Sequence, residues 1–115
     1  MWKVEVKLDE EKIRTKSEYN LDDMYAAIDK AFVNGAYMES PTVEADGTRI
    51  YIAPKLKNQD HFAMIGAKII AFMDAEWFTA NVRKFILGNN GSSSDPNNFS
   101  REDILKAWKV GVSCN

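Results

Sequence analysis

Polar and apolar residues alternate without exception from Trp2 to Leu8, with Trp2, Val4, Val6 and Leu8 on one side and Lys3, Glu5 and Lys7 on the other. A period of two marks a half-buried strand. A weaker alternation follows over residues 12–19, where Ile13, Thr15, Ser17 and Tyr19 oppose Lys12, Arg14, Lys16 and Glu18. Only Asp9 to Glu11 lie between the two runs, so the pattern predicts a first hairpin.

The period then becomes helical. Asn20 stands at an N-cap, Asp22 and Asp23 meet the positive end of the helix dipole, and Leu21, Met24, Tyr25, Ile28, Ala31 and Phe32 recur at helical spacing up to an Asn34-Gly35 stop. Next, Asp46-Gly47 reads as a two-residue type I′ turn, which sets Val43 opposite Ile50, Glu44 opposite Arg49 and Thr42 opposite Tyr51. In that register Ile50 faces the core, while Arg49 and Tyr51 face away from it.

Residues 60–73 predict a helix with Phe62, Ile65, Ile69, Phe72 and Met73 on one side and few polar positions elsewhere, expected to be the most buried helix. It must break near Asp74 to Trp77, because at about 100° per residue Phe78, Val82, Phe85 and Ile86 lie on the opposite side. Residues 77–87 fit a helix stopped by Gly88; read as a strand they need a bulge before Phe85 to accommodate Lys84. Residues 88–99 have the Gly, Ser and Asn content of a mobile loop, and Ser100 caps a last helix ended by Gly111.

The predicted fold is therefore α+β: a four-stranded antiparallel sheet from two hairpins (ββαββ), with helices packed on one face and a helical C-terminal half. The alternative is a ferredoxin-like split βαβ arrangement, which results if residues 79–87 are a strand and residues 12–19 are not.

Length and composition narrow the class without changing that picture. A chain of 115 residues, 45% hydrophobic and 28% charged, suits a single globular domain over residues 1–115 and argues against disorder. The stretch from Phe62 to Met73 is interrupted by Lys68 and falls far short of the roughly 20 apolar residues that span a bilayer. The N-terminus lacks a signal-peptide apolar run, and Cys114 as the sole cysteine permits no intramolecular disulfide, so a cytoplasmic setting without membrane insertion is expected. A formal charge of −2 selects no class of partner.

Catalytic and metal-binding inventories are thin. His61, the sole histidine, sits in a first helical turn where a solvated or capping role is the ordinary one, and Cys114 stands next to the chain end. One His and one Cys 53 positions apart do not make a metal site, and the calcium-loop-like string Asp95 to Lys106 fails at Phe99 and Lys106. Gly88 to Gly91 lacks the lysine and helix of a phosphate loop, Ser92 to Ser94 reads as a loop tip, and the acidic runs Asp9 to Glu11 and Asp22-Asp23 read as a turn and a helix start. No catalytic residue, cofactor or metal is assigned, and the expectation is a non-catalytic intracellular binding or regulatory protein acting on a protein partner or on itself.

One feature supports an alternative. If both hairpins share a sheet, its solvent face carries Lys3, Lys7, Lys12, Arg14, Lys16 and Arg49 against Glu5, Glu18 and Glu44, with Tyr51 among them, as a nucleic-acid-binding module could use. Lysines on exposed strands also serve to block edge pairing. The face nets only +3, against the roughly 6–10 phosphates that tight binders neutralise, so specific nucleic-acid binding is not expected.

Overall fold

A computed structural model describes residues 1–53, 61–90 and 99–113, with the side chains of residue 61 and of residues 109–113 left aside. Strand β1, Trp2–Leu8, is the centre of a five-stranded antiparallel sheet of order β2-β3-β1-β4-β5, with β2 at Thr42–Val43, β3 at Arg49–Ala53, β4 at Val82–Asn89 and β5 at Glu102–Asp103. Helices α1 (Glu10–Lys16), α2 (Leu21–Asp29), α3 (His61–Met73), α4 (Glu76–Thr79) and α5 (Ile104–Ser113) supply the rest, with a π-helical turn at Lys30–Asn34 continuing α2. The α+β class is as expected, but the topology is not ββαββ. Strand β3 lies between β1 and β2, and β1 lies between β3 and β4, which is the interleaving of the split βαβ alternative with a two-residue fifth strand added beside β4.

Of the two conditions for that alternative, the absence of a strand over residues 12–19 holds, and the strand over residues 79–87 holds from Val82 on. Residues 12–19 do not form a strand, because the acidic run before them starts a helix: Asp9 accepts from the Lys12 N–H, Glu10 and Glu11 fill the first turn, Arg14 and Lys16 the last, and Ser17 closes it in the left-handed region. Of the apolar side predicted there, only Ile13 is buried. Residues 77–87 are not one helix: α4 ends at Thr79, and β4 runs on past Gly88. The bulge that a strand required is present as a register shift at Lys7 and Leu8, opposite Lys84 and Val82, and it lets Phe85 and Leu87 join Val6 and Val4 on the core face.

The hairpin at Asp46-Gly47 exists with a different turn. Gly47 N–H donates to the Glu44 carbonyl at 3.0 Å and Glu44 N–H to that of Thr48 at 2.8 Å, a three-residue loop in which Gly47 alone has positive φ, +92°. A type I turn closed by a left-handed glycine replaces the type I′ pair. Asp46 accepts from the Thr48 N–H at 2.9 Å, and that bond holds its carboxyl down at about 2 against an ordinary 3.8. Its help to the hairpin is thus complete above the ordinary value and is lost as pH falls through about 2. The added loop residue shifts the register to Val43 opposite Arg49 and Thr42 opposite Ile50. A one-residue slip exchanges the faces of a strand, so Arg49 and Tyr51 point to the helices and Ile50 and Ile52 away from them. A Cβ at Gly47 would also come within 2.4 Å of Glu10 Oε2. Gly47→Val is therefore expected to destabilise by roughly 1–3 kcal/mol, checked as a fall in the urea unfolding midpoint at unchanged slope.

The core sits between the sheet and the helices, where Phe32 lies within 5.2–6.4 Å of the rings of Tyr51, Phe72 and Phe85. Asn20 caps α2 as expected, accepting from the Asp23 N–H. Gly35 is not the left-handed stop; its φ is −82°, and its missing side chain instead gives room to the Ala31 carbonyl and to Lys68. The last helix begins at Ile104 with Asp103 accepting from the Lys106 N–H, rather than at Ser100, and it continues through Gly111. Of the loop expected over residues 88–99, Gly88 and Asn89 belong to β4, and residues 91–98 fall outside the described ones.

Candidate interaction surfaces

The basic face predicted from two hairpins is dispersed. Lys12, Arg14 and Lys16 lie on α1, where the Lys12 ammonium donates to the Ala80 carbonyl and Arg14 pairs with Glu10 at 3.2 Å. Arg49 and Tyr51 are on the helix side of β3. Only Lys3 and Lys7 remain on the face away from the helices, joined there by Lys84, Ile50, Ile52 and Ile86.

Charges on that face are satisfied from within. Lys7 and Lys84 both approach Asp46, at 3.8 and 3.7 Å, and Lys84 also donates to Thr48 Oγ1. Arg101 reaches across β4 to Glu5 at 2.7 Å, leaving Glu5 only 6% exposed, and the Lys3 ammonium lies 4.4 Å from the centre of the Phe99 ring. Gly88 makes the crossing possible, since a Cβ there would stand 2.7 Å from the Ser100 carbonyl and 3.5 Å from Phe99. The segment from Phe99 to Arg101 thereby covers part of the face, and what phosphates would meet is a set of lysines already engaged.

Arg49 and Tyr51 instead enter a network that pins the first two helices to the sheet. Tyr51 donates to Asp29, whose other oxygen lies 3.9 Å from the Arg49 guanidinium, and that guanidinium lies over the Tyr25 ring at 4.2 Å. Tyr25 donates to Glu10 at 3.0 Å and accepts from the Leu8 N–H. Burial first, and then the Asp29 carboxylate, push the Tyr51 hydroxyl far above its ordinary value; burial also raises Tyr25. Both phenols serve as hydrogen-bond donors that hold α1 and α2 in position against the sheet. The network's charged members were legible singly, but the register that joins them was not.

Among the described residues no group of three His, Cys, Asp or Glu side chains could hold a metal ion. Cys114 and Ser92 to Ser94 fall outside the described residues, as does the side chain of His61. Asp22 and Asp23 act at a helix start as expected, whereas Asp9, expected in a hairpin turn, caps α1. No helix among the described residues is long and apolar enough to cross a membrane.

The surface that stands out lies on α3. Ile65, Ile69, Phe72 and Met73 are buried against the core, as predicted. Phe62, predicted among them, lies on the same sheet-facing side but at the open start of the helix and stays exposed; the opposite side carries Ala63, Ala67, Ile70 and Ala71, all exposed, with Gly66 at its margin. Phe62 is 57% and Ile70 54% exposed, and Phe62 is held by the Trp2 ring at 5.0 Å. Lys68, the one lysine of α3, is set aside on the flank against Gly35. A helix apolar all round is normally buried all round, whereas this one covers only half its circumference. The sequence showed the scarcity of polar positions but read it as depth.

Comparison of the chain with models of protein families, with curated proteins and with solved structures finds no match.

Proposed function

We propose that this is a non-catalytic binding protein that engages a protein partner through the outward face of α3. The observation that carries this reading is the run of exposed apolar residues on the outward side of α3, Ala63, Ala67, Ile70 and Ala71, with no charge among them. Surface helices of single domains present charged residues to water, and a contiguous apolar patch marks a site of association.

Gly66 supports it. Glycine inside a helix costs about 0.5–1 kcal/mol relative to alanine. A Cβ at Gly66 would meet nothing within 4 Å, so no neighbour in the described chain requires its absence. A close approach from outside is what such a position serves. The alternative of nucleic-acid binding loses its geometry, because the residues proposed for it lie on α1, on the helix side of β3 and in intramolecular pairs.

The test is retention on immobilised chain. A lysate of the cells that make the protein, supplemented with an untagged copy, is passed over the parent chain and over Ile70→Glu. We expect at least one protein held by the parent and released by the variant. Identical retention by both would reject the α3 face as the binding surface.

A further inference from the structure

We propose that the groove between the end of α3, the start of β4 and α5 is a binding site for a small amphipathic carboxylate, an unbranched acyl chain with one anionic end. The groove is distinct from the outward side of α3, and the inference does not depend on that surface. Met73, Val82 and Leu105 give it an apolar lining that continues the core, Trp108 adds the largest apolar side chain, and Asp103 and Lys106 bring the charges. Its volume of about 620 Å³ falls within the roughly 300–1,000 Å³ of small-molecule sites.

Trp108 points to a missing contact. Trp2 has Phe62 as a ring partner at 5.0 Å, and Trp77 has Phe72 and Phe78, each at 5.9 Å. Trp108 has no ring partner and no bond to its indole N–H among the described residues, and it is 37% exposed. A large ring at the edge of an apolar groove offers a ligand chain the surface that its own domain leaves uncovered.

The polar groups at the groove select the other end of the ligand. One oxygen of Asp103 takes the Lys106 N–H at 3.2 Å where α5 begins, and the Thr79 hydroxyl donates to the Ala75 carbonyl at 3.3 Å. These two are engaged. The Lys106 ammonium forms no ion pair among the described residues, which leaves it and the Trp108 indole N–H as the groups open to a ligand. Both donate hydrogen bonds and neither accepts, so the complementary end is an acceptor with negative charge, and a carboxylate meets both requirements. The positive end of the α5 dipole adds to the same preference.

Isothermal titration of the full chain with octanoate, up to about 5 mM, provides the test. Octanoate should bind at one site per chain with Kd below about 1 mM, and octanol, the same chain without the charge, at least about tenfold more weakly. Decanoate should bind more tightly than octanoate, by roughly fourfold for each added methylene that is fully buried. Lys106→Glu and Trp108→Ala, each checked for an unchanged circular dichroism spectrum, should both weaken octanoate binding at least about tenfold. Octanol as tight as octanoate, or Lys106→Glu as tight as the parent, would overturn the carboxylate. Binding unaffected by Trp108→Ala would overturn the groove as its place, and a parent that shows no saturable binding would overturn the site altogether.

Discussion

Phe32→Ala is expected to lower stability by about 3–5 kcal/mol, a large share of the roughly 5–15 kcal/mol that holds a domain of this size folded. Phe32 belongs to the turn after α2 yet touches the sheet through Tyr51 and Phe85 and α3 through Phe72, and it is wholly buried. Removing the ring leaves a cavity bounded by three other rings on three elements that are themselves fixed by backbone hydrogen bonds, so collapse around it is limited. Urea unfolding followed by far-ultraviolet circular dichroism measures the loss. A change under about 1 kcal/mol would show that these rings are not the centre of the core.

Asp29→Ala should have the second largest effect, roughly 2–4 kcal/mol. One carboxylate serves two groups: Tyr51 donates to one oxygen and Arg49 approaches the other. Without it, a buried hydroxyl loses its acceptor and a guanidinium that is only 23% exposed loses its counter-ion. The partial exposure of Asp29, 35%, admits water and keeps the figure below that of a fully buried pair. Replacing all three together, as Asp29→Leu, Arg49→Met and Tyr51→Phe, removes the unpaired groups as well and should restore most of the loss. If the triple variant were no more stable than Asp29→Ala, unpaired polarity would not be the cause.

How much of this could be read from the chain varied by element. Strand β1 was plain because its alternation is strict and one side faces the core. The start of α2 was plain because Asn20 and the two aspartates that follow belong to one capping arrangement. At residues 12–19, by contrast, a weak alternation reads as a strand and Asp9 to Glu11 as its turn, while the local hydrogen bonds of the cap at Asp9 outweigh a strand side with one apolar residue of consequence. At residues 77–87 the difficulty was a bulge, which breaks the period of two just where that period would have identified the strand.

The candidate site shows the same dependence on single residues. One extra residue in the loop at Gly47 reversed β3, took Arg49 and Tyr51 from the solvent face to the core, and removed the geometry on which a basic face depended. Turn dipeptides such as Asp-Gly fit loops of two residues and of three, and the choice rests on tertiary contacts, here Glu10 beside Gly47. For α3 the helix and the buried positions Ile65, Ile69 and Phe72 were legible, but not that Phe62, in phase with them, stays exposed where the helix begins. That nothing in the described chain covers the other side is a property of the assembled fold alone.

Urea unfolding of Ile70→Glu beside Ile69→Glu, at about 1 μM and so below the range of weak association, tests most directly whether that side of α3 is free for a partner. The two residues are neighbours in the same helix, one 54% exposed and one 8% exposed. Ile70→Glu should unfold within about 0.5 kcal/mol of the parent, as surface substitutions do, while Ile69→Glu, a carboxylate forced into the core, should lose more than about 3 kcal/mol. Comparable losses in the two variants would mean that Ile70 is part of the domain's own core, and the outward face of α3 could not be a binding surface.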